Sequence, residues 1–513
     1  MWGWRSSRTP VVLTATAVFA VVCLLPLLYM LSAALAGPRT GVSRVGVALL
    51  DRRQSGLLYN TICLGMGTTV LASAIGAPLG FALARLALPF TAILRIVLAA
   101  PALLPPYVIA MAMTYLVGSL ASTLTGAIVA LTVGLYPITM LVTEVAVRRV
   151  EPRLEEAALL VTTPGRVLAR ITWPIVAPSV IAAALIIFVL AISEFSVPGL
   201  LRVRVYTTEV FTAFAALYDF GRAASLAGPL LIVSIAVAAS AGRRLGRQLI
   251  ATRRGLHGDP LDTFQSWRPL ALASIGCLVV VVLAAPLAVL AREALRAESI
   301  GDVLRDSRDA AIHSLLIGLT GASAVTLVAV CLGHARARAT PNVGAMLDAL
   351  WVAQFAVPST VIGIGLIGVW NRPGAGGALY GTPAMLLLGY LARFLPIGAL
   401  SVAAIVRSIP ESHEEAAAVV GGGWLRTMVR IVIPQMRAGL LAVWVVAFVL
   451  GFGEVGTSIL VAPPGESTLP IRVYTLTANA PPGYVPALAL FQSAIILAPV
   501  ALLAVCLGRR RTS

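Results

Sequence analysis

Residues 414–434 read EEAAAVVGGGWLRTMVRIVIP, a polar, arginine-bearing island between two long apolar runs. Residues 155–174, EEAALLVTTPGRVLARITWP, are a second copy. Their closing prolines, Pro434 and Pro174, differ by 260 positions. A short helix over residues 414–420 would stop at the glycine run Gly421-Gly422-Gly423, because glycine ends helices readily. A second helix would carry Trp424, Met428 and Ile431 on one side and Arg426 and Arg430 on another.

Outside the islands the chain is apolar. Of its 513 residues, 59% are hydrophobic and 12% charged, and mean hydropathy is +0.95. A soluble fold cannot hide that much apolar surface, so the class is polytopic membrane protein. A bilayer core needs about 20 apolar residues per helix, and many segments reach that length. Barrel strands would show about 10 residues of alternating polarity, and none appears. The fold class is therefore all-α, with about twelve transmembrane helices. The expected spans lie near residues 11–36, 57–83, 92–117, 119–147, 175–201 and 223–241. They are followed by spans near 269–291, 310–333, 344–370, 377–406, 437–462 and 484–508. Pro101, Pro105 and Pro106 predict a kink or break in the third. The first span ends in Ala34-Leu35-Ala36, which looks like a signal-peptidase site. However, the run is longer than a secretory h-region of about 7–15 residues, so it reads as an uncleaved helix.

The two halves repeat in parallel. Asn60-Thr61-Ile62 falls on His313-Ser314-Leu315 at an offset of 253, carrying Gly65 onto Gly318, Gly80 onto Gly333 and Arg85 onto Arg338. At an offset of 260, Phe188 falls on Phe448 and Glu194 on Glu454. The expected organisation is a first helix and external segment (1–56), a first six-span repeat unit (57–250) and a hydrophilic linker (242–268). A seventh helix with its external segment (269–308) and a second repeat unit (309–508) complete it.

All 38 basic residues are arginine, against 21 acids, for a net charge of +17. They sit in short loops between apolar runs, which is the positive-inside pattern and not a nucleic-acid surface. With both termini inside, 24 arginines face the cytoplasm and 13 the exterior, and Arg393 lies within a span. Both islands and the linker are then cytoplasmic. A P-loop needs a lysine to hold phosphates, so this chain has no standard Walker A motif, and any ATP that drives it binds another subunit. The five cysteines, Cys23, Cys63, Cys277, Cys331 and Cys506, fall in apolar runs without CxxC spacing and read as packing residues. No nucleophile elbow, HExxH or metal-ligand cluster is present, so no catalytic residue and no metal ligand is named.

The second island resembles the signature loop of binding-protein-dependent ABC importer permeases of the type I fold: EAA, three residues, Gly, nine residues, then Ile-x-(apolar)-Pro. Glu415, Ala416, Ala417, Gly421, Ile431, Ile433 and Pro434 match it. The first island matches at Glu156, Ala157, Ala158, Ile171 and Pro174, but has Thr162 at the glycine position and is one residue shorter. The resemblance covers roughly residues 57–250 and 309–508. The fused form is similar to ferric iron and thiamine permeases. It implies that the islands, at Glu155, Glu156, Ala157, Ala158 and Thr162 and at Glu414, Glu415, Ala416, Ala417 and Gly421, couple to a cytoplasmic ATP-binding-cassette subunit acting as a dimer. It further implies a periplasmic or extracellular substrate-binding protein, a multi-pass location in the cell (inner) membrane, and no cofactor on this chain beyond ATP on the partner. The expected activity is transport, not enzymatic catalysis. Ferric iron is the expected cargo, with thiamine or another small solute as the alternative, and an ion-gradient-driven secondary transporter as the reading from another class.

Ionisable groups within spans are functional candidates. Glu194 and Glu454 are related by the repeat, and paired carboxylates at a pathway mouth would suit a cationic substrate. The competing reading is that each is hydrogen-bonded between helices or sits at the interface. Arg393 has no charged counterpart, since Gly134 occupies the aligned position; it is a third pathway candidate.

Overall fold

The computed structural model describes residues 2–35, 52–250 and 262–509. Among them there are helices and turns and no strand. Nine helices are long and apolar enough to cross a membrane, and eleven spans result if each of two bent helix pairs counts as one. The last helix, Tyr484–Arg509, lies where the twelfth span is expected; its described apolar stretch, Tyr484–Val500, is shorter than the others. The count among the described residues is thus nine to eleven, not twelve. The external segment at 36–51 and the middle of the linker, 251–261, lie outside the described residues. The sixth span does not stop near residue 241: its helix, Phe220–Ile250, runs on into the linker.

Two spans are broken. Thr91–Ala102 meets Pro106–Ala121 at 86°, where the prolines predict it. In the second half, Pro341–Phe355 meets Ser359–Trp370 at 94°. The sequence there reads as one uninterrupted span, but Pro358 bars continuation because its nitrogen carries no hydrogen to donate.

A second repeated device is a π-turn two residues ahead of a proline. It occurs at Ala20–Leu24 before Pro26, Leu168–Thr172 before Pro174, Val280–Ala284 before Pro286, and Met428–Val432 before Pro434. In each, the residue before the proline donates five residues back, as from Trp173 to the Leu168 carbonyl. The wider turn relieves the clash between the proline ring and the preceding turn. A proline that should separate island from span is absorbed instead. Residues 164–193 and 424–452 are each continuous helical runs from island to far end.

The first helix of each half packs on the other half. The base of the first span contacts Arg308–Ala337 and Trp424–Thr427, and its Phe19 sits 6.4 Å from the Trp351 ring. Reciprocally, the seventh span, Phe264–Ala294, packs on Arg53–Arg85, where Phe264 meets Phe81 at 5.4 Å. Hydrocarbon offers no hydrophobic drive between helices, so contact shape holds them together. Gly80 and Gly333 show how closely they approach: a Cβ on Gly80 would lie 2.3 Å from the Met140 carbonyl, and one on Gly333 2.7 Å from Val402.

This crossed packing is testable. Phe19→Ala lies in the first half by sequence but empties the core of the second. It should cost about 3–5 kcal/mol, read as a lower unfolding temperature of the solubilised protein. An unchanged temperature would mean that the first helix does not pack there.

Candidate functional site

Each island begins with a short helix, Pro152–Leu159 in the first half and Ser412–Val419 in the second. In both, the first glutamate of the pair turns inward and the second outward: Glu155 and Glu414 are buried, Glu156 and Glu415 exposed. One residue along a helix is a rotation of about 100°, enough to separate an inner from an outer face.

The inward glutamates make matching buried ion pairs. Arg85, at the end of the helix Arg52–Arg85, places Nη2 2.8 Å from Glu155 Oε2, with both side chains fully buried. The same Nη2 donates to the Val147 and Val150 carbonyls at 3.1 and 3.0 Å, and Thr172 in the π-turn donates to Glu155 Oε1 at 2.5 Å. Four elements therefore meet around one buried ion pair. In the second half, Arg338, the residue aligned with Arg85, donates from Nη2 and Nε to Glu414 Oε1 at 2.6 and 3.0 Å and from Nη2 to the Ile409 carbonyl at 3.0 Å. His334 Nε2 lies 3.0 Å from Glu414 Oε2, and its ring meets the buried Trp424 edge-on at 5.7 Å. Burial alone would raise the Glu414 carboxyl, but the hydrogen bonds and charges of His334 and Arg338 outweigh it and hold the group below its ordinary value.

The outer faces also match. Past the exposed glutamate and alanines, each helix ends in two bare apolar residues: Leu160 and Val161, each 86% exposed, and Val419 and Val420, 86% and 83%. The same pair of exposed aliphatic side chains thus recurs at equivalent places on both loops. The helix ends differ. Gly421 has φ +77°, the left-handed conformation, and Gly422 donates to the Ala417 carbonyl at 2.9 Å, closing a Schellman-type cap. Thr162 takes no positive φ; it donates to the Ala158 carbonyl at 3.0 Å, and Thr163-Pro164 starts the next helix at once. The missing glycine and the missing residue are thus one difference, a tighter exit.

At the far ends of the island-borne helices lie Glu194 and Glu454. Glu194 Oε1 accepts from the backbone nitrogen of Ser196 at 2.9 Å and from its hydroxyl, and Glu454 Oε1 accepts from the backbone nitrogen of Thr457 at 2.8 Å. The chain after Glu194 is no loose external loop: Ser196–Leu200 and Tyr206–Ala215 fold back into the protein, with Val197 and Tyr206 fully buried. The break at residues 355–359 gathers the rest. Arg393 donates from Nη1 to the Phe355 carbonyl at 3.3 Å and to that of Val357, while Ser193 from the other half donates to the Ala356 carbonyl at 3.1 Å. Thr457 donates to the Ser359 carbonyl at 3.0 Å. Arg393 therefore lies at the negative end of the helix Pro341–Phe355. The buried tyrosine Tyr107 bridges the halves nearby, donating to Gln492 Oε1 at 2.7 Å. No group of three or more His, Cys, Asp or Glu side chains able to hold a metal occurs among the described residues.

No family model matches the chain. A stretch of 163 residues, 32% of the chain, is 31% identical to a putative ABC transporter permease protein, ORF1, of Streptomyces antibioticus, and spans 69% of it. The chain belongs to the ABC transporter permease family. Over 471 residues, 89% of its length, this permease is 23% identical to the Fe(3+)-transport system permease protein FbpB 2 of Haemophilus influenzae, covering 90% of that protein. A 171-residue stretch is 26% identical to the spermidine/putrescine transport system permease protein PotC of Escherichia coli strain K12, over 33% of this chain and 62% of that one.

Sequence reasoning named both island glutamates without separating inner from outer. It missed Arg85 and Arg338 as their partners, although the repeat alignment already paired those two arginines. The ion pairs can be tested by unfolding of the solubilised permease. Arg85→Met leaves the Glu155 charge buried and unpaired and should cost about 3–5 kcal/mol, whereas Glu156→Gln should stay within about 0.5 kcal/mol. Equal effects would remove the distinction between the two glutamates.

Proposed function

We propose that this permease is the membrane subunit of an ATP-driven importer whose islands receive work from a cytoplasmic ATPase dimer. The observation that carries this reading is the repeated island geometry: an exposed glutamate, small alanines and a bare aliphatic pair on the outside, clamped from within by a buried ion pair. In this reading Glu156, Ala157 and Ala158, with Glu415, Ala416 and Ala417, meet the ATPase, and Leu160, Val161, Val419 and Val420 seat in its surface. Glu155 and Glu414 are positioning residues that hold the island to its helices; Thr162 and Gly421 set the exit angle. Both termini and both islands are cytoplasmic, a placement that the arginine distribution supports, and a substrate-binding protein delivers cargo from the other side.

The lever is continuous. Residues 164–193 span about 45 Å at 1.5 Å per residue, from the island to Glu194, and residues 424–452 do the same toward Glu454. Rocking an island swings the carboxylate at the far end, and the π-turn near the base is the compliant point. The Ser193–Ala356 contact crosses between halves at that end, so it must break as the halves separate. The cargo is a cation, ferric iron, for which Glu194 and Glu454 form the charged lining and Arg393 the counter-charge. The name of the relative matched over 89% of the chain supports iron. The polyamine named for the shorter relative is also cationic, so spermidine is the competitor to test.

Leu160→Asp with Val419→Asp should abolish co-purification with the cognate ATPase while the permease remains folded; undiminished complex would end the docking assignment. In proteoliposomes holding the whole transporter, Glu194→Gln with Glu454→Gln should lower ferric uptake about tenfold or more and spare ATPase binding. Unchanged uptake would remove the pair from the pathway, and uptake of spermidine in place of iron would replace the cargo.

A further inference from the structure

The two halves differ at the base of the island-borne helices. In the second half this space is solid: Trp424 is buried on the His334 ring, in one core with Phe19, Trp351 and Met428. The position aligned with Trp424 is Pro164, and that aligned with His334 is Phe81, whose ring turns toward Phe264 and Trp267. A proline and Gly165 cannot fill the volume of an indole. A cavity of about 950 Å³ remains between the base of the seventh span and the first half, bounded by residues 73–86, Thr143, Val147, residues 165–176 and residues 267–278.

We infer that this cavity is a binding site for an anionic phospholipid, seated in the leaflet on the island side. Its wall is almost wholly apolar and carries no acidic residue. It opens among helices whose neighbouring faces are bare hydrocarbon surface, such as Leu270, 73% exposed, and Trp173, 45% exposed. An apolar gap between membrane-spanning helices fills with acyl chain, because water there would find few partners. Two lining hydroxyls, Ser73 Oγ and the buried Thr143 Oγ1, have no hydrogen-bond partner in the protein. They can donate to a glycerol-ester carbonyl.

The charge at the mouth selects the headgroup. Arg166 and Arg170 alternate along the helix with the lining residues Gly165, Leu168 and Ala169, and Arg268 stands two residues ahead of the lining Leu270. All three arginines are exposed. Basic side chains around a cleft between membrane helices draw anionic headgroups, and guanidinium binds phosphate in a planar fork. In the second half Arg426 and Arg430 occupy the matching positions, and there the buried Trp424 indole stands where the first half has Pro164. The lipid is therefore specific to the first half, where the island has the tighter exit and lacks the glycine cap.

The test uses the indoles of Trp173 and Trp267, which line the cavity. The full-length permease is reconstituted in phosphatidylcholine vesicles containing either dibrominated phosphatidylglycerol or dibrominated phosphatidylcholine at equal mole fraction, and bromine quenching of tryptophan fluorescence is measured. The brominated anionic lipid should quench more strongly, with a relative association about fivefold or more in its favour. Arg166→Gln/Arg170→Gln/Arg268→Gln, all surface changes, should bring the two lipids level. Trp173→Phe/Trp267→Phe should remove the excess quenching. Equal quenching of the unmodified protein by both lipids overturns the proposal, as does an anionic preference that survives either set of substitutions.

Discussion

A buried guanidinium–carboxylate contact, made twice, governs how this permease is built. Arg85 with Glu155 and Arg338 with Glu414 place ionised groups where solvation is poor, and such a pair persists only when its remaining donors and acceptors are also used. Several are: the Val147 and Val150 carbonyls, the Thr172 hydroxyl, the Ile409 carbonyl and the His334 ring do that work, while Arg85 Nε and Nη1 have no hydrogen-bond partner among the described residues. The consequence is structural. A polar loop that would otherwise hang from two helix ends is fastened to three of them.

The second constraint is proline. Four prolines stand two residues after a π-turn, and in each case the helix survives as a continuous run. Elsewhere Pro105–Pro106 and Pro358 break their spans outright, at 86° and 94°. The difference lies in room for one extra residue in the turn. Where it exists, the chain bends and continues as a lever; where it does not, unpaired carbonyls are left. At residues 355–359 those carbonyls collect Arg393 from one side and Ser193 from the other half.

Pseudo-symmetry with local departures distinguishes the two halves. The crossed packing of the first and seventh spans ties each half to the other along its whole height. Where Trp424 is replaced by Pro164, one side keeps a solid base and the other an open one. Gly421 and Thr162 differ in the same sense, since a left-handed cap and a residue that cannot comfortably take one send the chain out at different angles.

Much of this was legible in the chain itself. Apolar run length determines an all-helical membrane fold, because every backbone polar group must be paired in hydrocarbon. The repeat offsets and the EAA pattern determine that two corresponding islands exist, and the lack of lysine means that this sequence holds no standard P-loop. Relations between distant segments emerge only when the chain folds. Glu155 and Glu156 are indistinguishable in sequence, and which one turns inward depends on where Arg85, 70 positions away, ends its helix. Phe19 serves the second half and Phe264 the first, which no local periodicity records. The cavity under Pro164 exists because a neighbouring helix, and not the residue itself, sets how much volume must be filled. Hydropathy reports a side chain's affinity for its surroundings; pairing, crossing and void volume depend on which surroundings the folded chain supplies.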